Sequence, residues 1–255
     1  MHMFEYYEML IREQYSKEVS IEAKRKTFGK FGKNTSLATG VQQMVWLTGG
    51  IETLPSDNDI THIASDDNAD DQSIRVEGHT VDGNGDFTFV VQTVTLDGFT
   101  KTPLSTPLAR ITRAENMGST DLAGTVTIAE DVTFTDGVPA SGIHMTLTGA
   151  DNQSLKGATT ISKNDFWVIT SIQYSVLRQA SANVDFKLQV RNKGGVFKTK
   201  HSSSVSNGSG SFEKNFEFAP IIVPPNSDVR VLATSNANST VVDVHIDGVL
   251  ASVIR

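Results

Sequence analysis

The stretch Ile74-Arg75-Val76-Glu77-Gly78-His79-Thr80-Val81, then Asp82-Gly83-Asn84-Gly85, then the apolar run over residues 87–96, reads as a β-hairpin. Asp, Asn and Gly tolerate the positive φ that a tight hairpin turn requires. The return strand carries apolar side chains on both faces and stops at Asp97-Gly98. Outward from this hairpin, residues 108–113 and 125–128 read as further strands. Short strands at regular spacing between turn signals predict an antiparallel sandwich over residues 36–140.

The same vocabulary returns downstream. Phe166, Val168, Thr170, Ile172, Tyr174 and Val176 are expected on one face of a long strand, and Val184, Phe186, Leu188 and Val190 on one face of another. A Ser/Gly-rich loop is expected over residues 202–211. Val229, Val231 and Ala233, then Val242, Val244 and Ile246, and finally Val249, Ala251 and Val253 alternate to the end. About eight strands between residues 141 and 255 predict a second antiparallel sandwich, jelly-roll-like. Gly137, Pro139, Gly142 and Gly149 mark the change between the two blocks.

The composition agrees. The chain has 255 residues, with 27 Thr, 25 Val and 20 Gly, residues that suit pleated strands and the turns between them. It is 38% hydrophobic and 20% charged, in the globular range. No apolar run reaches the roughly 20 residues that cross a bilayer, so no membrane partner is expected. The first residues carry acids within their apolar stretch and lack a small-residue cleavage site, so they do not read as a secretory signal. A net charge of −7 makes a dedicated nucleic-acid binder unlike this chain, because phosphates are neutralised by clustered Lys and Arg. There is no cysteine, hence no disulfide, thiolate nucleophile or Cys-bound metal.

Residues 1–35 differ from the rest. Phe4, Tyr7, Ile11 and Tyr15 recur at helical spacing between charged residues, which predicts a short amphipathic helix. Such a helix is marginal alone and needs something to pack on. Lys24, Arg25, Lys26, Phe28, Lys30, Phe31 and Lys33 follow, basic residues with two aromatics and no acid. Glycines on both sides of Phe31 disfavour a helix, so an extended basic arm or solvated linker is expected there. These eleven residues are the candidate partner-binding set.

Enzymatic signals are absent from the sequence. The six histidines form neither HxH nor HExxH pairs. There is no G-x-S-x-G elbow, P-loop or dinucleotide fingerprint. Asp57, Asp59, Asp66, Asp67, Asp70 and Asp71 belong to a stretch, residues 52–86, holding ten acids against Arg75 alone. Asp82-x-Asn84-x-Asp86 opens like a calcium loop, but Phe87 stands where glycine is required and Thr93 where the last glutamate should be. A solvated acidic loop is the expectation, with no metal, no cofactor and no enzyme activity. Lys187, Arg191, Lys193, Lys198 and Lys200 form a second basic stretch able to meet those acids across copies of the chain.

Several short runs carry a resemblance. They are Gln92-Thr93-Val94-Thr95-Leu96-Asp97-Gly98, Leu104-Ser105-Thr106-Pro107-Leu108-Ala109-Arg110, Gly118-Ser119-Thr120-Asp121-Leu122-Ala123-Gly124 and Asp151-Asn152-Gln153-Ser154-Leu155. Val184-Asp185-Phe186, Gly195-Val196-Phe197-Lys198-Thr199 and Asn226-Ser227-Asp228-Val229-Arg230 extend it over most of residues 74–250. Together they resemble tailed-phage virion structural proteins of the capsid decoration (cement) or head-fibre type. The resemblance implies a non-catalytic virion component, with the major capsid protein or other virion proteins as partners, and a homotrimer matched to a threefold platform. A tail, head-fibre or adaptor component with a receptor- or glycan-binding domain is the alternative. A carbohydrate enzyme on a sandwich is the third, and it needs two close carboxylates in a cleft.

Overall fold

A computed structural model describes Glu5, Met9 and residues 25–177, 181–207, 210–216 and 219–252. The aromatic stripe Phe4, Tyr7, Ile11 and Tyr15, and with it Lys24, lies outside the described residues. Most of the described backbone is antiparallel strand, joined by turns and loops.

In chain order the strands are β1 (Arg25–Leu37), β2 (Gln42–Met44), β3 (Ile60–Ser65), β4 (Ser73–Val81), β5 (Phe87–Thr95), β6 (Thr102–Leu108) and β7 (Arg110–Asn116). Next come β8 (Thr125–Glu130), β9 (Phe134–Thr135), β10 (Val138–Pro139), β11 (Ile143–Thr148), β12 (Ala158–Ile161) and β13 (Asp165–Val176). The chain closes with β14 (Asn183–Asn192), β15 (Lys198–Ser206), β16 (Ser211–Asn215), β17 (Ile221–Val223), β18 (Ser227–Ser235) and β19 (Thr240–Ser252).

Two sheets, β11-β8-β3-β6 and β5-β4-β7, enclose one core, with Ile60, Ile63, Ile74, Val76, Leu108, Val126, Ile128 and Leu147 fully buried. The hairpin read from residues 74–96 is β4–β5, in register from Ser73↔Thr95 to Val81↔Phe87. Its turn is closed by the Asp82 carboxylate, which accepts the amides of Asn84 at 2.9 Å and Asp86 at 3.0 Å. Of the residues that looked like a calcium loop, Asp82 is thus the turn's own acceptor, while Asp86 Oδ1 accepts from Asn226 Nδ2 at 2.9 Å.

While β9 and β10 pair only with each other, two larger sheets run β1-β19-β13-β16 and β12-β18-β14-β15, with β17 added to β13 and β2 to β18. They face each other across the larger core, where Trp167, Tyr174, Phe186, Val184, Leu188, Val231 and Val242 are fully buried. Leaving out the short β2 and β17, the eight strands pair first–eighth–third–sixth and second–seventh–fourth–fifth. That interleaved order is a jelly roll's. The smaller sandwich lies in the connection between the first and second jelly-roll strands.

Three expectations change on this frame. First, residues 25–37 are neither a free arm nor a linker: β1 pairs with β19 from Arg25↔Ala251 to Asn34↔Val242. Pairing, not nearness in sequence, places this basic segment, and it joins the last strand of the chain. β2 likewise joins β18, while β11, expected at the start of the second block, pairs with β8 of the first. Second, the even-numbered face expected for β13 switches partway. The ladder shifts between Ile169 and Ser171, so Trp167 and Ile169 before the bulge share the core with Ile172, Tyr174 and Val176 after it. One extra residue reverses every side chain beyond it. Third, of the loop expected over residues 202–211, residues 202–206 belong to β15, paired with β14, and Ser211 opens β16. Serine is tolerated in β15 because it is an edge strand with most of its side chains exposed or half-buried.

Gly32 shows how tightly β1 is built in. A Cβ there would lie 2.3 Å from the Gly157 nitrogen and 2.6 Å from the Val45 carbonyl, both backbone atoms that cannot swing away.

A candidate interaction cleft between β1 and the inserted sandwich

Among the described residues β1 is an edge strand, and its outer edge faces the outer surface of β5-β4-β7 across a cleft of about 500 Å³. The cleft exists because the alternation of β4 leaves Arg75, Glu77 and His79 on the face away from their own core. Over residues 26–34 of β1 the even-numbered side chains turn toward the cleft and the core: the Phe28 ring meets Trp167 edge-on at 5.2 Å, and the exposed Lys26 ammonium lies 5.5 Å from the Phe89 ring. Phe31, on the other face, is 42% exposed and meets the His245 ring at 6.3 Å.

Lys30 is the unusual member. It is buried, and its ammonium donates to the Thr112 carbonyl. Among the described residues no carboxylate stands within ion-pair distance of it. Burial, reinforced by the positive charges of Lys156 and Arg113 and only partly offset by Glu77, pulls its pKa down to about 7. Glu77 is already engaged by Arg75 at 2.6 Å, and Arg75 also holds Glu115 at 2.8 Å. His79 is buried too, its Nε2 3.2 Å from Ser162 Oγ, and burial pulls its pKa down to about 4. It is a neutral ring in the cleft wall.

Of the candidate partner-binding residues, the structure thus brings Lys26, Phe28, Lys30 and Phe31 to one cleft. Phe28 and Lys30 face inward, so they are framework and floor rather than exposed contacts; Lys33 is half-buried further along β1. The opposite wall, with Arg75, Glu77, His79, Phe89 and Arg113, was missed from sequence. Its only sequence signal is the set of outward positions on the hairpin, which usually face water.

The remaining charged clusters are internal fastenings. Asp70 is buried and accepts Ser65 Oγ together with the amides of Ala123 and Gly124. It is not part of a solvated loop, because its carboxylate closes the turn that precedes β8. His144, Glu52 and Lys156 form a buried group, Lys156 Nζ lying 2.7 Å and His144 Nδ1 3.1 Å from Glu52 Oε1. Lys193 pairs with Asp86, and Arg191 with Asp228, so part of the second basic stretch meets the acids of its own chain. Among the described residues no three acids or histidines converge as a metal-binding group.

No protein-family model matches the chain, and no curated protein does. Solved structures with some likeness include the CBM22-1–CBM22-2 tandem domain of Paenibacillus barcinonensis Xyn10C, 11% identical over 95% of each chain, TM-score 0.23. A structure of infectious bursal disease virus, Gx strain, is 9% identical over 94% of this chain and 74% of its own, TM-score 0.21. The VP2 subviral particle of the same virus is 9% identical over 93% and 73%, TM-score 0.20. Scores this low transfer neither fold nor function to this chain.

Proposed function

We propose that this chain is a non-enzymatic virion structural protein, a decoration (cement) protein on the outer shell of a tailed phage, bound to the major capsid protein. The sequence runs between Gln92 and Arg230 that resemble such proteins suggest it. The observation that carries it is the position of the basic strand. β1 is locked into the jelly-roll edge, so residues 1–24, with the stripe Phe4, Tyr7, Ile11 and Tyr15, are joined to a rigid body beside the exposed Lys26 and Phe31. A stiff β body following a segment whose sequence alternates apolar and charged residues at helical spacing suits attachment spread over many contacts, with basic side chains set against acidic loops of the shell. A homotrimer belongs to the same proposal, since closed symmetry lets identical surfaces cover one another without open-ended growth.

A tail, head-fibre or adaptor component is the second reading, favoured by the aromatic and charged lining of the cleft, which suits recognition as well as attachment. Copy number tests the two. Quantitative mass spectrometry of purified virions should find the chain in numbers comparable with the major capsid protein. A number matching only a vertex or a tail rejects shell decoration, and absence from virions rejects both readings.

A further inference from the structure

We propose that the open edge of β1, from Lys26 to Phe31, takes up an extended acidic peptide segment of a partner as an added strand. The inference holds wherever the chain resides, so it does not rest on the virion reading.

The backbone supplies the first argument. In an antiparallel ladder, residues alternate between pointing their N–H and C=O at the partner strand and away from it. The Lys33 amide donates to the Leu155 carbonyl at 3.3 Å, away from β19. The ladder is unbroken from Arg25 to Asn34. The amides of Thr27, Gly29 and Phe31 therefore also face away from β19, into the cleft. Among the described residues no strand pairs with them. Main-chain hydrogen bonds along such an edge give affinity, and the surroundings of alternate side chains give specificity.

Those surroundings select the strand. A segment laid along β1 would turn every second side chain toward Lys26, Lys30, His79 and Arg113, and the others toward Phe31 and His245. Lys30 is a buried amine whose hydrogen bond goes to a neutral carbonyl, and Arg113 adds positive charge beside it. A carboxylate brought next to Lys30 would favour its protonated form. Glu77 is tied to Arg75, and Asp165 accepts Ser252 Oγ at 2.7 Å, so neither wall acid neutralises Lys30. Carboxylates at alternate positions of an incoming strand would do so. Lysines on an edge also repel unwanted strands. Here they repel basic and apolar ones and leave the acidic class.

The test uses the full chain, a soluble heptapeptide of alternating glutamate and threonine, its lysine-for-glutamate counterpart, and a glucuronic acid hexamer. The acidic peptide should bind saturably, about tenfold or more tighter than the basic one. Hydrogen exchange should show the amides of Thr27, Gly29 and Phe31 gaining protection. Thr27→Pro, which removes one outward N–H but no β1–β19 bond, should weaken binding about tenfold at an unchanged melting temperature. Lys30→Met should erase the preference for acid; it serves as the second variant if Thr27→Pro misfolds. Absence of peptide binding, equal affinity for both peptides, or binding without protection of those amides overturns the proposal. So does protection already present in the free chain, which would mean that its own residues occupy the edge. Binding of the sugar acid but not the peptide assigns the cleft to an anionic glycan and overturns strand addition.

Discussion

Arg110 of β7 and Asp228 of β18 form a buried ion pair, Nε to Oδ1 at 2.9 Å, that ties the inserted sandwich to the jelly roll. Arg110 also donates to the Pro55 carbonyl at 2.6 Å and lies over the Phe87 ring at 4.9 Å. Asp228 accepts from Thr160 Oγ1 at 2.8 Å and from Arg191. Every charge at this junction has a partner, which a buried pair requires.

Removing one member leaves the other uncompensated. Arg110→Met is expected to destabilise by about 3–5 kcal/mol, measured by urea unfolding at neutral pH. Burial alone would raise the Asp228 pKa, but the charge and hydrogen bonds of Arg110 and Arg191 hold it below the ordinary value. Its stabilisation is therefore complete above about pH 3.9 and is lost as pH falls through the lower folded value. The wild type should show that acid loss, and Arg110→Met should show less of it.

Glu52 and Lys156 make a second fastening, the lysine also donating to the His144 carbonyl at 3.0 Å. Glu52→Leu and Lys156→Met should each cost about 3–5 kcal/mol. The double variant should be more stable than either single one, because no charge is then left buried alone. A double-mutant cycle by chemical denaturation checks this, and additive losses would reject it.

Lys30 predicts a pH dependence of the opposite origin. Its pKa falls from 10.5 in the unfolded chain to about 7 in the fold, chiefly through burial. Between those values the unfolded state binds more protons, so this group makes stability rise with pH, and its cost is fully present below about 7. Lys30→Met should therefore stabilise the protein most below pH 7, with the gain shrinking toward pH 10. Unfolding at pH 6 and pH 9 measures the difference, and a gain independent of pH rejects the assignment.

Truncation separates leader from fold. Deleting residues 1–24 should leave the β circular-dichroism signal and melting temperature intact while abolishing attachment to the shell. Deleting residues 1–37 removes β1, strips β19 of one neighbour, and should unfold the jelly roll.

The proposed homotrimer should appear by light scattering of the isolated protein. Lys187, Lys198 and Lys200 are basic residues of the second stretch with no ion pair among the described residues. A trimer held by charges such as the exposed Lys198 and Lys200 should weaken as salt shortens screening below about 8–10 Å. A monomer at every concentration and salt level rejects the free trimer.

The sequence by itself determined where most strands form, though not β1 or β15. The β4–β5 hairpin is legible because alternation and turn chemistry are local: Ile74 and Val76 point one way, and Asp82 closes the turn next to it. The same holds for Val184, Phe186, Leu188 and Val190, all in the core as their spacing predicts. Only the tertiary structure decided which strand each one meets. Nothing near Arg25–Leu37 announces that its partner is Thr240–Ser252, on the far side of the inserted sandwich. Long-range pairing is won by the core that β1 and β19 close together, and no local window contains both. The bulge at Thr170 escaped for a related reason: a run of apolar residues on both sides looks the same whichever parity faces the core, and the opposite strand sets it. Lys30 is the sharpest case. Its neighbours mark it as a solvated charge, yet the docking of β7 against β1 buries it, because the Thr112 carbonyl and Arg113 come from a strand some eighty residues away.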